Sequence, residues 1–191
     1  MEFVQPIRDR KQIDAIKKIL WATNKRDYCL FVVGINSGLR ISDLLALKVN
    51  DIMDGKKIKD RIEIREKKTN KVKDFPLGDV SKKALREYLT ERFGRLDQSQ
   101  AGEPLFLSKK GGPLQRAQAW KVLNQAARAI GINERIGTHT LRKTFAYHAH
   151  MSGIDITRIQ KLLNHSSPSV TLAYIGITQD ELDDIYLSLE L

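Results

Sequence analysis

The chain has a single cysteine, Cys29, so no intrachain disulfide can form. That residue sits inside the apolar run Tyr28-Cys29-Leu30-Phe31-Val32-Val33, which predicts a buried structural thiol rather than a nucleophile. Apolar runs everywhere fall short of the roughly 20 residues that a membrane-spanning helix needs. The opening residues Met1-Glu2-Phe3-Val4-Gln5-Pro6 have neither the basic start nor the apolar stretch of a secretory signal. Without disulfides, spans or a leader, the sequence predicts a soluble, cytoplasmic protein with no membrane partner. Metal and nucleotide motifs are missing as well. His139, His148 and His150 do not form an HExxH pattern and no cysteine cluster assists them, so no metal site is expected. Neither a P-loop nor a GxGxxG fingerprint is present, and no cofactor is expected.

Acidic residues are also in short supply: 23 Asp and Glu face 33 Lys and Arg, giving a net charge of +10 and a pI near 9.7. A polyanionic partner fits that excess. The imbalance is uneven. Asp180, Glu181, Asp183, Asp184 and Glu190 all follow Ile177 and no Lys or Arg does, so the body before them carries +15. With 191 residues, 41% of them hydrophobic, the chain is long and apolar enough to bury a core unaided, which excludes a disordered tail or a disulfide scaffold.

Periodicity predicts a mainly α fold with a small antiparallel β-sheet, an α+β domain. Ile13, Ile16, Ile19 and Leu20 recur at helical spacing, and a second helix runs to a stop at Ser37-Gly38. Arg40 falls in the following turn, with Ser42 expected to cap the next helix and Asp43 in its first turn. Arg61-Ile62-Glu63-Ile64-Arg65 alternates with period two, and with Asp74-Phe75-Pro76-Leu77 it predicts a hairpin. Ala84 to Phe93 is helical, 94–104 is a polar loop, and Leu105-Phe106-Leu107 is a further short strand. Ala117, Trp120, Leu123, Ala127 and Ile130 predict an apolar helix stripe, and four more helices fill the last third. The expected organisation is one domain: an N-terminal helix region over 1–26, a core over 27–177 and an acidic C-terminal helix over 178–191.

Several isolated features invite chemistry, yet each has an ordinary structural explanation. His139-Thr140-Leu141-Arg142 places an imidazole and a guanidinium on one helical face, as a solvated basic surface also would. Order and company carry more information. Gly38-Leu39-Arg40 comes first, then Lys68 in the hairpin turn, His139-Thr140-Leu141-Arg142, Leu163-Asn164-His165-Ser166, and finally Tyr174, nine residues after His165.

In that series the chain resembles the tyrosine recombinases, or phage integrases, from about Asp27 to Tyr174. The resemblance implies their catalytic-domain fold and a site made of Arg40, Lys68, His139, Arg142, His165 and the nucleophile Tyr174. It implies site-specific cutting and rejoining of double-stranded DNA through a covalent 3′-phosphotyrosine. The residue types suit that chemistry. Two guanidiniums can hold the non-bridging oxygens of a phosphodiester bidentately, replacing a metal. A tyrosine hydroxyl, with an ordinary pKa of about 10, needs a base, for which His139 is the candidate, while His165 would donate to the phosphate. Lys68 would protonate the departing 5′ oxygen; Lys67 and Lys71 are its neighbouring alternatives. Tyr28, Tyr147 and Tyr186 are read as helix-packing residues.

Departures accompany the match. Asn164 stands where the family usually has glycine, and Gly176 where many members have another histidine. The family's separate N-terminal DNA-clamping domain has no counterpart in the short stretch before Asp27, so that domain is expected to be absent. Two other functions stay open at this level: a type IB topoisomerase-like nicking and resealing enzyme, and a catalytically silent DNA-binding module. A homo-oligomer, a tetrameric synapse on DNA, would use the C-terminal helix, whose Leu182, Ile185, Tyr186 and Leu189 form an apolar stripe.

Overall fold

Asp9 starts the first helix by accepting a hydrogen bond from the Lys11 amide at 2.7 Å, and α1 (Arg10–Thr23) buries Ile13, Ile16 and Leu20. Asn24 then caps α2 (Lys25–Ser37) through the Asp27 amide. In this computed structural model, which describes residues 4–94, 100–177 and 179–189, α2 is the central helix, with Cys29 to Val33 fully enclosed. Continuous apolarity explains its place: a helix with buried residues on every side needs neighbours on every side, here α1, α5 (Asp79–Phe93) and α7 (Thr140–Met151). Gly38 ends α2 in the left-handed conformation at φ +59, and a Cβ there would meet the Phe145 ring at 2.6 Å, so only glycine fits.

Between these helices lie α3 (Ile41–Leu44), α4 (Val49–Ile52) and two antiparallel ribbons rather than one sheet. β1 (Met53–Asp54) pairs with β2 (Lys57–Ile58), and β3 (Arg61–Arg65) pairs with β4 (Val72–Pro76) with Ile62 opposite Phe75. Leu105-Phe106-Leu107 does not become a strand. Leu107 makes an isolated bridge with Pro113, and Pro104, just before the segment, makes one with Lys48. The polar loop predicted over 94–104 lies partly outside the described residues, at 95–99. α6 (Arg116–Ala129) buries Ala119, Leu123, Ala126 and Ala127, which turns its apolar face one residue from the predicted stripe and leaves Trp120 half exposed. Ser42 does not cap α3 but lies within it; Arg40 occupies the cap position with no side-chain cap bond.

The C-terminal third closes a second, smaller core. Ala146 and Tyr147 of α7, Ile159 and Leu163 of α8 (Ile156–Leu163), and Ile175 of α9 (Pro168–Ile175) enclose one another, with Tyr174 packed on the edge. Ser167 caps α9, Pro168 opens it, and Gly176 stops it in a left-handed turn two residues after Tyr174. Ile159→Ala should therefore lower stability by about 2–5 kcal/mol and loosen α9 before the main core, checked by thermal melting and amide exchange of residues 168–175. α10 (Gln179–Leu189) follows; the flanking positions 178, 190 and 191 and the side chains of Gln179, Asp180, Leu182 and Ile185 lie outside the described residues. Tyr186 is 80% exposed, contrary to the helix-packing expectation. Among the described residues no helix is long and apolar enough to cross a membrane.

Candidate active site

The turn after α2 sets the site. Gly38 reverses the chain, so Arg40 leaves α2 and enters α3 extended, with its guanidinium committed to an ion pair of 2.7 Å with Glu66. Glu66 follows β3 and is fully buried. Thr69 donates to its carboxylate at 2.6 Å and Asn164 at 3.0 Å. Desolvation pushes this carboxyl up, yet the bonds from Thr69, Arg40 and Asn164 outweigh it and hold the pKa below the usual range. Asp43, also buried, accepts from the Lys67 amide at 3.0 Å and ties α3 to the hairpin turn.

Arg142 reaches the same place from α7. Only 2% exposed, it donates to the Gly38 carbonyl at 2.6 Å and to the Leu163 carbonyl. It thus joins the Arg40 turn to the end of α8. Asn164, in the left-handed region at φ +51, occupies the turn that glycine would, and asparagine tolerates it. The substitution keeps the turn and adds the amide bond to Glu66.

His165 follows, its Nδ1 3.1 Å from Thr171 Oγ1 and its ring 4.9 Å from that of Tyr174, edge to face. The Lys143 ammonium lies 5.0 Å over the Tyr174 ring. Burial pushes the Tyr174 hydroxyl up to about 12, while Arg142 and Arg40 pull it down. Burial and the same two arginines push His165 down to about 4, so its imidazole is neutral at pH 7. His139, at the cap position of α7, is pushed below its ordinary value by desolvation and by Arg116, Arg142, Lys143 and Arg40.

Arg40, His139, Arg142, His165 and Tyr174 therefore share one electrostatic neighbourhood. Both arginines lower the Tyr174 pKa against the effect of burial, and the hydroxyl itself is buried with no hydrogen-bond partner among the described residues. Lys68 is not brought into the group; it stands exposed in the turn between β3 and β4. The profile of the phage integrase family matches residues 9–181. The chain belongs to that family.

Among the integrases and recombinases it resembles is the probable integrase/recombinase YoeC of Bacillus subtilis, 44% identical over 181 residues that cover 94% of this chain and 93% of that protein. Tyrosine recombinase XerD of Corynebacterium glutamicum is 35% identical over 176 residues, 91% of this chain but 56% of XerD, so the chain spans little more than half of such relatives. In fold it is similar to XerA recombinase, with a TM-score of 0.78 at 23% identity over 100% of this chain and 65% of that one. The XerH recombinase bound to palindromic difH in a post-cleavage complex gives 0.75 at 21%, covering 96% and 52%.

Sequence reasoning passed over Glu66, Asp43, Lys73 and Lys143 in this site. Glu66 has no reading from the sequence, and Asp43 only a place in a helix's first turn. For Lys73 a signal existed: in β4 it alternates with Val72 and Asp74 and falls on the inward face with Phe75.

Proposed function

We propose that this integrase-family chain cuts and rejoins DNA at specific sites through a covalent 3′-phosphotyrosine, with Arg40, Lys68, His139, Arg142, His165 and Tyr174 as its site. The Tyr174 oxygen attacks the scissile phosphorus and the bond to the 5′ oxygen breaks. The phenolic proton passes to His139, and Lys68 delivers one to the departing oxygen. Arg40 and Arg142 hold the non-bridging oxygens, and neutral His165 donates a further hydrogen bond. The phosphotyrosyl bond keeps the phosphodiester energy, so a 5′ hydroxyl can attack it and reseal the strand without cofactor. The observation that carries this reading is the Tyr174 ring packed edge to face against His165, with its buried hydroxyl under the influence of both arginines. Lys68 would enter on DNA, since its turn is the exposed part of the hairpin.

Strand exchange needs four such subunits, and α10 is the candidate link. Its start is held in its own domain, where Tyr147 donates to Glu181 at 2.6 Å and Arg8 lies 3.8 Å away. Tyr186, Leu187 and Leu189, 80%, 70% and 56% exposed, project from its far end. We place that end on a neighbouring subunit.

The test uses a pool of nicked duplexes with a randomised core, incubated with the chain and run on a denaturing gel. Protein-linked DNA should form equally with and without EDTA, and sequencing of the adduct names the site. Adduct that requires a divalent metal, or none at any sequence, would reject the reading. Non-covalent binding should weaken steeply with salt, since a +15 body contacts phosphates.

A further inference from the structure

β4 carries a lysine where its pattern calls for an apolar residue. Lys73 lies opposite Ile64 on the inward face, 9% exposed, its ammonium 5.6 Å from the Phe75 ring. Burying a cation is costly unless something in return requires it. Its Nζ donates to the Ser37 carbonyl at 3.2 Å, and the next carbonyl along the chain, that of Gly38, accepts from Arg142 at 2.6 Å. Two cations from separate elements, β4 and α7, thus grip successive carbonyls just before Arg40. The groups acting on Lys73 are Arg142 from α7, Arg40 and Asp43 from the turn and α3, and Glu66 from the hairpin.

We infer that Lys73 is a positioning residue: it fastens the hairpin that carries Lys68 to the turn that carries Arg40, and so sets Arg40 and Arg142 in register for one phosphate. The inference rests on the function proposed above. Charge placed there disfavours the fold. Burial, then Arg142, pushes the amine down to about 8 from 10.5, against the pull of Glu66 and Asp43. The folded chain therefore bears the full penalty below pH 8, and it fades as pH rises toward the unfolded value.

The test compares wild type, Lys73→Met, Lys73→Arg, Lys68→Ala and Tyr174→Phe on the nicked duplex pool, with an ordinary or a sulfur 5′-bridging atom at the scissile position. Sulfur leaves without protonation, so it relieves a missing general acid and not a misplaced arginine. Lys73→Met should form adduct about 10- to 100-fold more slowly, with binding nearly unchanged, and sulfur should not rescue it, whereas it should rescue Lys68→Ala. Lys73→Arg should recover part of the rate. At pH 7 Lys73→Met should melt no lower than wild type, with any advantage shrinking toward pH 10. Wild-type cleavage by Lys73→Met overturns the inference, as does rescue by sulfur equal to that of Lys68→Ala, or a lowered melting point that Lys73→Arg shares. Adduct formation by Tyr174→Phe would instead overturn the parent function, which separates the two failures.

Discussion

Tyr174→Phe should abolish covalent attachment to DNA while leaving fold and non-covalent binding nearly intact. The substituted ring keeps its edge-to-face contact with His165 and its place beneath Lys143, because neither uses the oxygen. What disappears is the one atom able to bond phosphorus. With its pKa pushed up to about 12, the phenol is almost wholly protonated at pH 7, so attack depends on a base taking the proton as the bond forms. His139, pushed below its ordinary value, is in the required neutral form at pH 7. Wild-type adduct formation should therefore be flat around neutrality and fall only below the usual imidazole range, as measured by initial rates on the nicked duplex pool. Residual adduct in the Phe variant would place the nucleophile elsewhere, and a rate still climbing steeply between pH 7 and 8 would remove His139 from the role of base.

The order of motifs was legible in the sequence because each sits at an element boundary with its own chemical signature. Gly38 stops α2, His139 precedes α7, Asn164 ends α8 and Gly176 ends α9, and stop signals of this kind are local. The helices followed for the same reason. Contacts across long separations in sequence were not legible. Arg40 meets Glu66 and Asn164 meets Glu66 only because the ribbon folds back over α3, which no spacing encodes. Trp120 and Tyr186 were misplaced since an aromatic at helical spacing reads as core whether or not a neighbour covers it. Lys68 and Lys73 show the remaining gap: the resemblance points to the outward lysine of the hairpin, while the inward one, in contact with the site before DNA arrives, shows itself only through the pleat.

Arg40→Ala should slow cleavage about 100-fold or more, as loss of a preorganised donor to developing phosphate charge does. It should also cost about 3–5 kcal/mol of stability, since it strands a carboxylate, Glu66, that is wholly buried. Thr69 and Asn164 still bond that group but carry no charge. The double variant Arg40→Ala with Glu66→Gln separates the two losses: it should regain most of the melting temperature and none of the cleavage. Acid should separate them again. In wild type the Glu66 pKa lies below its unfolded value, so its contribution is present above that value and is lost as pH falls through the folded pKa. Without Arg40's bond and charge, burial, the largest single influence, should outweigh Thr69 and Asn164 and raise the folded pKa above the unfolded one. The sign then reverses, and acidification stabilises the variant by allowing Glu66 to take a proton. Relative to wild type, Arg40→Ala should thus melt closer to it at pH 5 than at pH 7, and the double variant should show no such convergence. A constant gap across that range would mean that Glu66 is not held ionised by Arg40, and that the guanidinium is placed by its turn alone.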